Sequence, residues 1–154
     1  MPDPAGKIRT LIVDDQLLQR EIMQRLLKHE SDFEIVGTAA NGREAVEAIN
    51  HLDPDLVFLD VQMPGLDGFG VVAEMHPPHK PEIIFVTANE EFATRAFEVQ
   101  ALDYLLKSFT RERFHAALQR VRDQIKQVGG TEKIIFAFSV AAVGDRSQFQ
   151  PGQV

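Results

Sequence analysis

Two adjacent aspartates, Asp14-Asp15, a third at Asp60, a hydroxyl at Thr87 and an ammonium at Lys107 are the residues of this 154-residue chain whose types combine into chemistry. Each follows a short apolar run, at residues 11–13, 56–59, 83–86 and 102–106. Taken singly, each has an ordinary reading: Asp15 as a helix N-cap, Asp60 as a loop entry, Thr87 as a strand-end hydroxyl and Lys107 as a solvated charge. Taken together they make an acidic cluster that needs compensation. Two unit charges about 5 Å apart at an effective dielectric near 20 repel by roughly 3 kcal/mol. A lysine and a divalent cation supply what three carboxylates lack. Oxygen donors with few carboxylates and room for water favour Mg²⁺ over a dedicated Ca²⁺ cage. Such an ion would hold a phosphoryl group's oxygens and neutralise charge at a phosphorus that the Asp60 carboxylate could attack.

The elements that must bring these groups together follow from the apolar pattern. Strand-like runs occur at residues 8–13, 33–38, 56–59, 83–86 and 102–106, short and nearly continuous, as expected of strands buried on both faces. Between them lie helical repeats: Leu18, Ile22 and Leu26; Ala45, Ile49 and Leu52; and Phe114, Leu118, Val121 and Ile125. Asn41 followed by Glu44 resembles a capping box, and Thr110 suits the N-cap of the fifth helix. Met63-Pro64-Gly65 and His76-Pro77-Pro78 break the chain around the third helix. Five strand and helix pairs predict an α/β, doubly wound, five-stranded parallel sheet of flavodoxin-like order 2-1-3-4-5, with helices on both faces. In such sheets ligands sit outside the carboxyl ends of the strands, where the five residues fall.

The composition bounds the rest. The formal charge of −7 and a pI near 5.2 argue against direct nucleic-acid binding by this segment. There is no cysteine, so thiolate metal sites and cysteine nucleophiles are excluded. No apolar run approaches about 18 residues, and residues 1–7 are polar with two prolines, which points to a cytoplasmic chain that does not engage a membrane. The expected organisation is an N-terminal extension at 1–7, one domain at 8–127, and a linker or truncated start of an output domain at 128–154.

At Leu11-Ile12-Val13-Asp14-Asp15, Leu59-Asp60-Val61-Gln62-Met63-Pro64-Gly65-Leu66-Asp67-Gly68, Val86-Thr87-Ala88 and Asp103-Tyr104-Leu105-Leu106-Lys107 the sequence resembles the receiver domain of bacterial response regulators. The segments Ala96-Phe97 and Ala101-Leu102-Asp103-Tyr104 are similar to regulators with a LytTR-type output domain. The resemblance implies a two-component signalling domain that accepts phosphate on Asp60 from a sensor histidine kinase. It is not a classical enzyme but assists its own phosphorylation and dephosphorylation. Asp14, Asp15, Asp60 and the backbone carbonyl of Gln62 would hold Mg²⁺, Lys107 would pair with the phosphate, and Thr87 and Tyr104 would form the switch. The implied readout surface, and the face of a homodimer, is the fourth helix, fifth strand and fifth helix. One departure stands beside Lys107. The family usually has a cis-proline there, whereas this chain has Ser108, so the peptide is either a strained cis bond or a trans bond that moves Lys107, and coupling of phosphate to the surface is expected to weaken.

Two other function classes compete. One is a degenerate receiver acting as an interaction module without phosphorylation; the other is a Mg²⁺-dependent phosphohydrolase with an aspartyl-phosphate intermediate, against which stands the lack of a cap-sized insertion. His76 and His79 flank two prolines without a third ligand and read as solvated rather than as a metal pair. Phe92, Ala96 and Val99 read as a core stripe ahead of a partner surface. Gly37 and Gly42 form no phosphate-binding fingerprint.

Overall fold

The computed structural model of the protein describes residues 6–129, so the expectations for residues 130–154 and for most of the N-terminal extension lie outside the described residues. Five strands, β1 (Ile8–Val13), β2 (Phe33–Ala39), β3 (Leu56–Asp60), β4 (Glu82–Thr87) and β5 (Asp103–Leu106), form one parallel sheet in the order β2-β1-β3-β4-β5. The connecting helices are α1 (Leu17–Leu27), α2 (Gly42–Leu52), α3 (Gly68–Glu74), α4 (Ala93–Glu98) and α5 (Arg111–Gly129), with a 3-10 turn at Glu90–Phe92 leading into α4. This is the expected architecture. Within α5 the chain passes from one compact unit, ending at Ala117, to a second that begins at Leu118. Among the described residues no helix is long and apolar enough to cross a membrane.

Alternation along the strands divides the core. Leu11, Val13, Val57, Leu59, Ile83 and Phe85 pack with Ala45 and Ile49 of α2, Phe69 and Val71 of α3, and Ala96 of α4. Residues one step along, such as Phe58, face the other way, where the Phe58 ring stacks on Phe114 of α5 at 6.0 Å. All five residues of β3 are buried, which is why its sequence shows no polar alternation.

The caps follow the expected chemistry. Asn41 accepts a hydrogen bond from the Glu44 amide at 2.9 Å, and the Glu44 carboxylate accepts one from the Ala40 amide at 3.0 Å, a capping box displaced by one residue. Thr110 Oγ1 accepts from the Arg113 amide at 3.0 Å and opens α5. The α1 stripe differs from the expectation. Met23 and Leu27 are its buried residues, Ile22 and Leu26 are half-buried, and Leu18 is 64% exposed. Apolar residues are adjacent there at 22/23 and 26/27, giving two stripes one residue apart; packing on β1 and β2 buries Met23 and Leu27, while Leu17 and Leu18 both stay exposed. In α4 the core reading holds: Ala96 is buried and Phe92 and Val99 are packed against the core.

Candidate functional site

Strand register explains how residues far apart in sequence converge. Val13 pairs with Leu59, so Asp14 emerges beside Asp60. Asp60 pairs with Val86, which sets Thr87 one step beyond, and Thr87 pairs with Leu106, which sets Lys107 one step further. The Lys107 amide donates to the Thr87 carbonyl at 2.8 Å, the bond that ends the sheet at this corner. All the polar groups thus lie at the carboxyl ends of β1, β3, β4 and β5, where an open parallel sheet leaves a crevice.

The β3 to α3 turn holds Asp60 from below. Gly68 donates its amide to the Val61 carbonyl at 2.8 Å, and a Cβ on Gly68 would stand 2.5 Å from the Asp60 carbonyl oxygen, so only glycine fits this approach. Gly65 takes φ +79°, the left-handed conformation that the Met63-Pro64-Gly65 turn requires. Asp67 then caps α3 by accepting from the Gly70 amide at 2.8 Å.

Asp14 and Asp60 are buried, at 5% and 2% exposure, while Asp15 is exposed. Carboxylate oxygens of all three lie within 4.8 Å of one another. Lys107 Nζ is 3.0 Å from Asp14 Oδ2 and 3.3 Å from Asp60 Oδ2. The Gln62 amide donates to Asp60 Oδ1 at 3.2 Å, and the Gln16 amide donates to Asp14 Oδ1 at 2.9 Å; Gln16, rather than Asp15, occupies the N-cap position of α1. Burial and the neighbouring Asp14 carboxylate push the Asp60 carboxyl up to about 6, against the downward pull of Lys107 and the Gln62 amide. Burial alone would lower the Lys107 ammonium, but its bonds to Asp14 and Asp60 raise it, so it stays charged. One cation faces three carboxylates, and the all-oxygen donor set suits a hard divalent ion.

The peptide between Lys107 and Ser108 is trans, as are all described peptide bonds, and Lys107 still reaches both carboxylates. Of the two geometries open to Ser108, trans is the one present. Thr87 is fully buried, and its Oγ1 accepts from the Asn89 amide at 3.4 Å. The Tyr104 hydroxyl donates to the Asn89 carbonyl, so Tyr104 lies folded in under the loop after β4. Burial, with Glu90 and Glu91 nearby, raises the phenol's pKa.

Three residues went unseen in the sequence. Asn89 touches both Thr87 and Tyr104, but in sequence it is an ordinary loop asparagine. Arg20 donates to the Asp14 carbonyl at 2.8 Å and fastens the turn after β1. Arg113 grips Asp103 with both terminal nitrogens, at 3.0 and 2.5 Å. His76 and His79 are exposed, yet each is engaged: the His76 amide donates to Asn50 Oδ1 at 2.7 Å, and His79 Nδ1 lies 2.6 Å from Asp53 Oδ2.

A receiver domain is the class that this sheet order and acidic corner define. Residues 10–119 match the sequence profile of the response regulator receiver domain, and the chain belongs to that family, the receiver domains of two-component systems. It is 46% identical over 117 residues, 76% of this chain and 49% of the other, to the transcriptional regulatory protein BtsR of Salmonella typhi. It is 33% identical to the response regulatory domain of protein mrkE from Klebsiella pneumoniae, with a TM-score of 0.71, covering 78% of this chain and 99% of that one. The receiver domain of AraT, a response regulator from Geobacillus stearothermophilus, is 30% identical with a TM-score of 0.71, covering 79% and 98%. The chain spans about half the length of the curated relatives it matches.

Proposed function

We propose that this receiver accepts a phosphoryl group on Asp60 from a sensor histidine kinase and uses it to change the surface formed by α4, β5 and α5. The observation that carries the reading is a buried Asp60 carboxylate held between Asp14 and Lys107, with a carboxyl pKa of about 6. The ionised carboxylate is the nucleophilic form, and the Lys107 ammonium favours it.

In the transfer step an Asp60 oxygen bonds to phosphorus as the bond from phosphorus to the donor's imidazole nitrogen breaks. The nitrogen keeps the electron pair and takes a proton from solvent. Lys107 pairs with a phosphoryl oxygen as the charge moves outward from Asp60. Asp14, Asp15, Asp60 and the backbone carbonyl of Gln62 would hold Mg²⁺, which when bound supplies positive charge to the phosphoryl oxygens. The acyl phosphate carries about −1.5 to −2 charges and three acceptor oxygens where the carboxylate carried one charge, so the Thr87 hydroxyl gains a new acceptor. Thr87 and Tyr104 meet at Asn89, which supports their acting together as the switch.

In this reading residues 8–127 form the receiver, and residues 128–154 lead toward an output segment of LytTR type. Kinase recognition, homodimerisation through α4, β5 and α5, and transcriptional output belong to the same proposal. Incubation with Mg²⁺ and acetyl phosphate tests it: one phosphoryl adduct per chain is expected, absent in Asp60→Asn. Absence of any adduct would favour a phosphorylation-independent interaction module, and rapid turnover of phosphomonoesters a phosphohydrolase.

A further inference from the structure

We infer that Arg113 and Asp103 are the positioning pair for Lys107, standing in for the rigid peptide that Ser108 does not provide; this rests on the reading of Lys107 as the phosphate partner of Asp60. The lysine side chain has several rotatable bonds, so the place of its ammonium depends on where its backbone is held. That backbone is weakly determined by the sheet. Among the described residues β5, four residues long, pairs only with β4, and it ends at the Lys107 amide. Beyond it Ser108 is exposed, and the turn closes with a bond from the Phe109 amide to the Leu106 carbonyl at 2.9 Å.

Arg113, in the first turn of α5, reaches back to the beginning of the strand. Its guanidinium donates to both Asp103 oxygens, at 3.0 and 2.5 Å, and to the Tyr104 carbonyl at 3.2 Å. The two ends of the Lys107 turn are thereby locked to each other, and a loop with tied ends has few conformations left. The Phe109 ring, stacked on Phe114 at 5.5 Å and 17°, holds the same turn from a second side. Asp103 is only 2% exposed. The Arg113 side chain is 41% exposed, so the pair is half-buried, and its directional, bidentate geometry specifies position.

The test compares initial rates of phosphoryl capture from acetyl phosphate with Mg²⁺ in the full chain, with circular dichroism to verify folding. Asp103→Asn with Arg113→Gln removes both charges together, so neither is left buried alone. Arg113→Lys keeps one cation without the fork. Rates should grade from parent to Arg113→Lys to the double variant, the last slower by about fivefold or more, and this grading should collapse in a Lys107→Ala background. A parental rate in the folded double variant, or the same fold-loss with and without Lys107, overturns the proposal. Where the double variant does not fold, Arg113→Lys carries the same comparison. If Lys107→Ala itself captures phosphate at the parental rate, the underlying role of Lys107 fails first, which separates that failure from failure of the positioning pair.

Discussion

Lys107 Nζ stands 3.3 Å from Asp60 Oδ2 across two strand boundaries, although the two residues are 47 positions apart in the chain. The β3/β4/β5 register makes this encounter, and Asp14 shares the same ammonium at 3.0 Å. A buried carboxylate in an acidic cluster is costly, and that cost is measurable in several independent ways.

The pH dependence of stability should carry the sign of Asp60. Its folded-state pKa of about 6 lies above the ordinary value of 3.8, so between those values the folded chain binds more protons than the unfolded one. Stability then falls as pH rises through that window, in metal-free buffer. The shift corresponds to at most about 3 kcal/mol, and solvent at this open corner reduces it to roughly 1–2 kcal/mol. Asp60→Asn is therefore expected to raise the thermal midpoint at pH 7, with the gain vanishing near pH 4.

Magnesium should reverse that cost. An ion that binds only the folded state stabilises by about 2.7 kcal/mol at 100 times its dissociation constant. Thermal denaturation with and without Mg²⁺ should show the gain, reduced in Asp14→Asn and in Asp15→Asn. Gln62→Ala should keep most of it, because the proposed ligand is a backbone carbonyl.

Tyr104 is the chain's single tyrosine and there is no tryptophan, so fluorescence excited at the tyrosine band reports this residue alone. Adding Mg²⁺ and acetyl phosphate should change that signal, and Asp60→Asn should abolish the change. Tyr104→Phe removes the bond to the Asn89 carbonyl and should cost about 0.5–1.5 kcal/mol in denaturant unfolding.

Gly68→Ala tests the support under Asp60. A methyl there would meet the Asp60 carbonyl oxygen at 2.5 Å and Val61 Cα at 3.0 Å, both backbone atoms that cannot give way cheaply. The expected loss is about 1–3 kcal/mol in urea, with slower phosphoryl capture. Gly65→Ala, where nothing lies within 4 Å but φ is +79°, should cost about 1–2 kcal/mol through backbone strain alone.

The strands were legible because burial on both faces demands unbroken apolar runs, as at Leu56–Asp60. The convergence of the candidate site's residues was legible for a related reason: they follow such runs at the end that an open parallel sheet exposes. What was not legible depends on choices made in three dimensions. Paired apolar residues in α1 left its buried stripe undecided between Ile22 with Leu26 and Met23 with Leu27. The Arg20 bond to a backbone carbonyl, and the engagement of His79 by Asp53, leave no local pattern, because the partner is fixed by folding rather than by spacing. Arg113 reads in sequence as one more charge on the exposed face of a helix, and only folding brings it to Asp103.

The central claim is that Asp60 itself carries the phosphate. An aspartyl phosphate is an acyl phosphate, and borohydride reduces it to homoserine. After incubation with Mg²⁺ and acetyl phosphate, borohydride treatment and peptide mapping should find homoserine at position 60 and at no other aspartate. Unmodified Asp60, or reduction at Asp14 or Asp15 instead, would contradict the account.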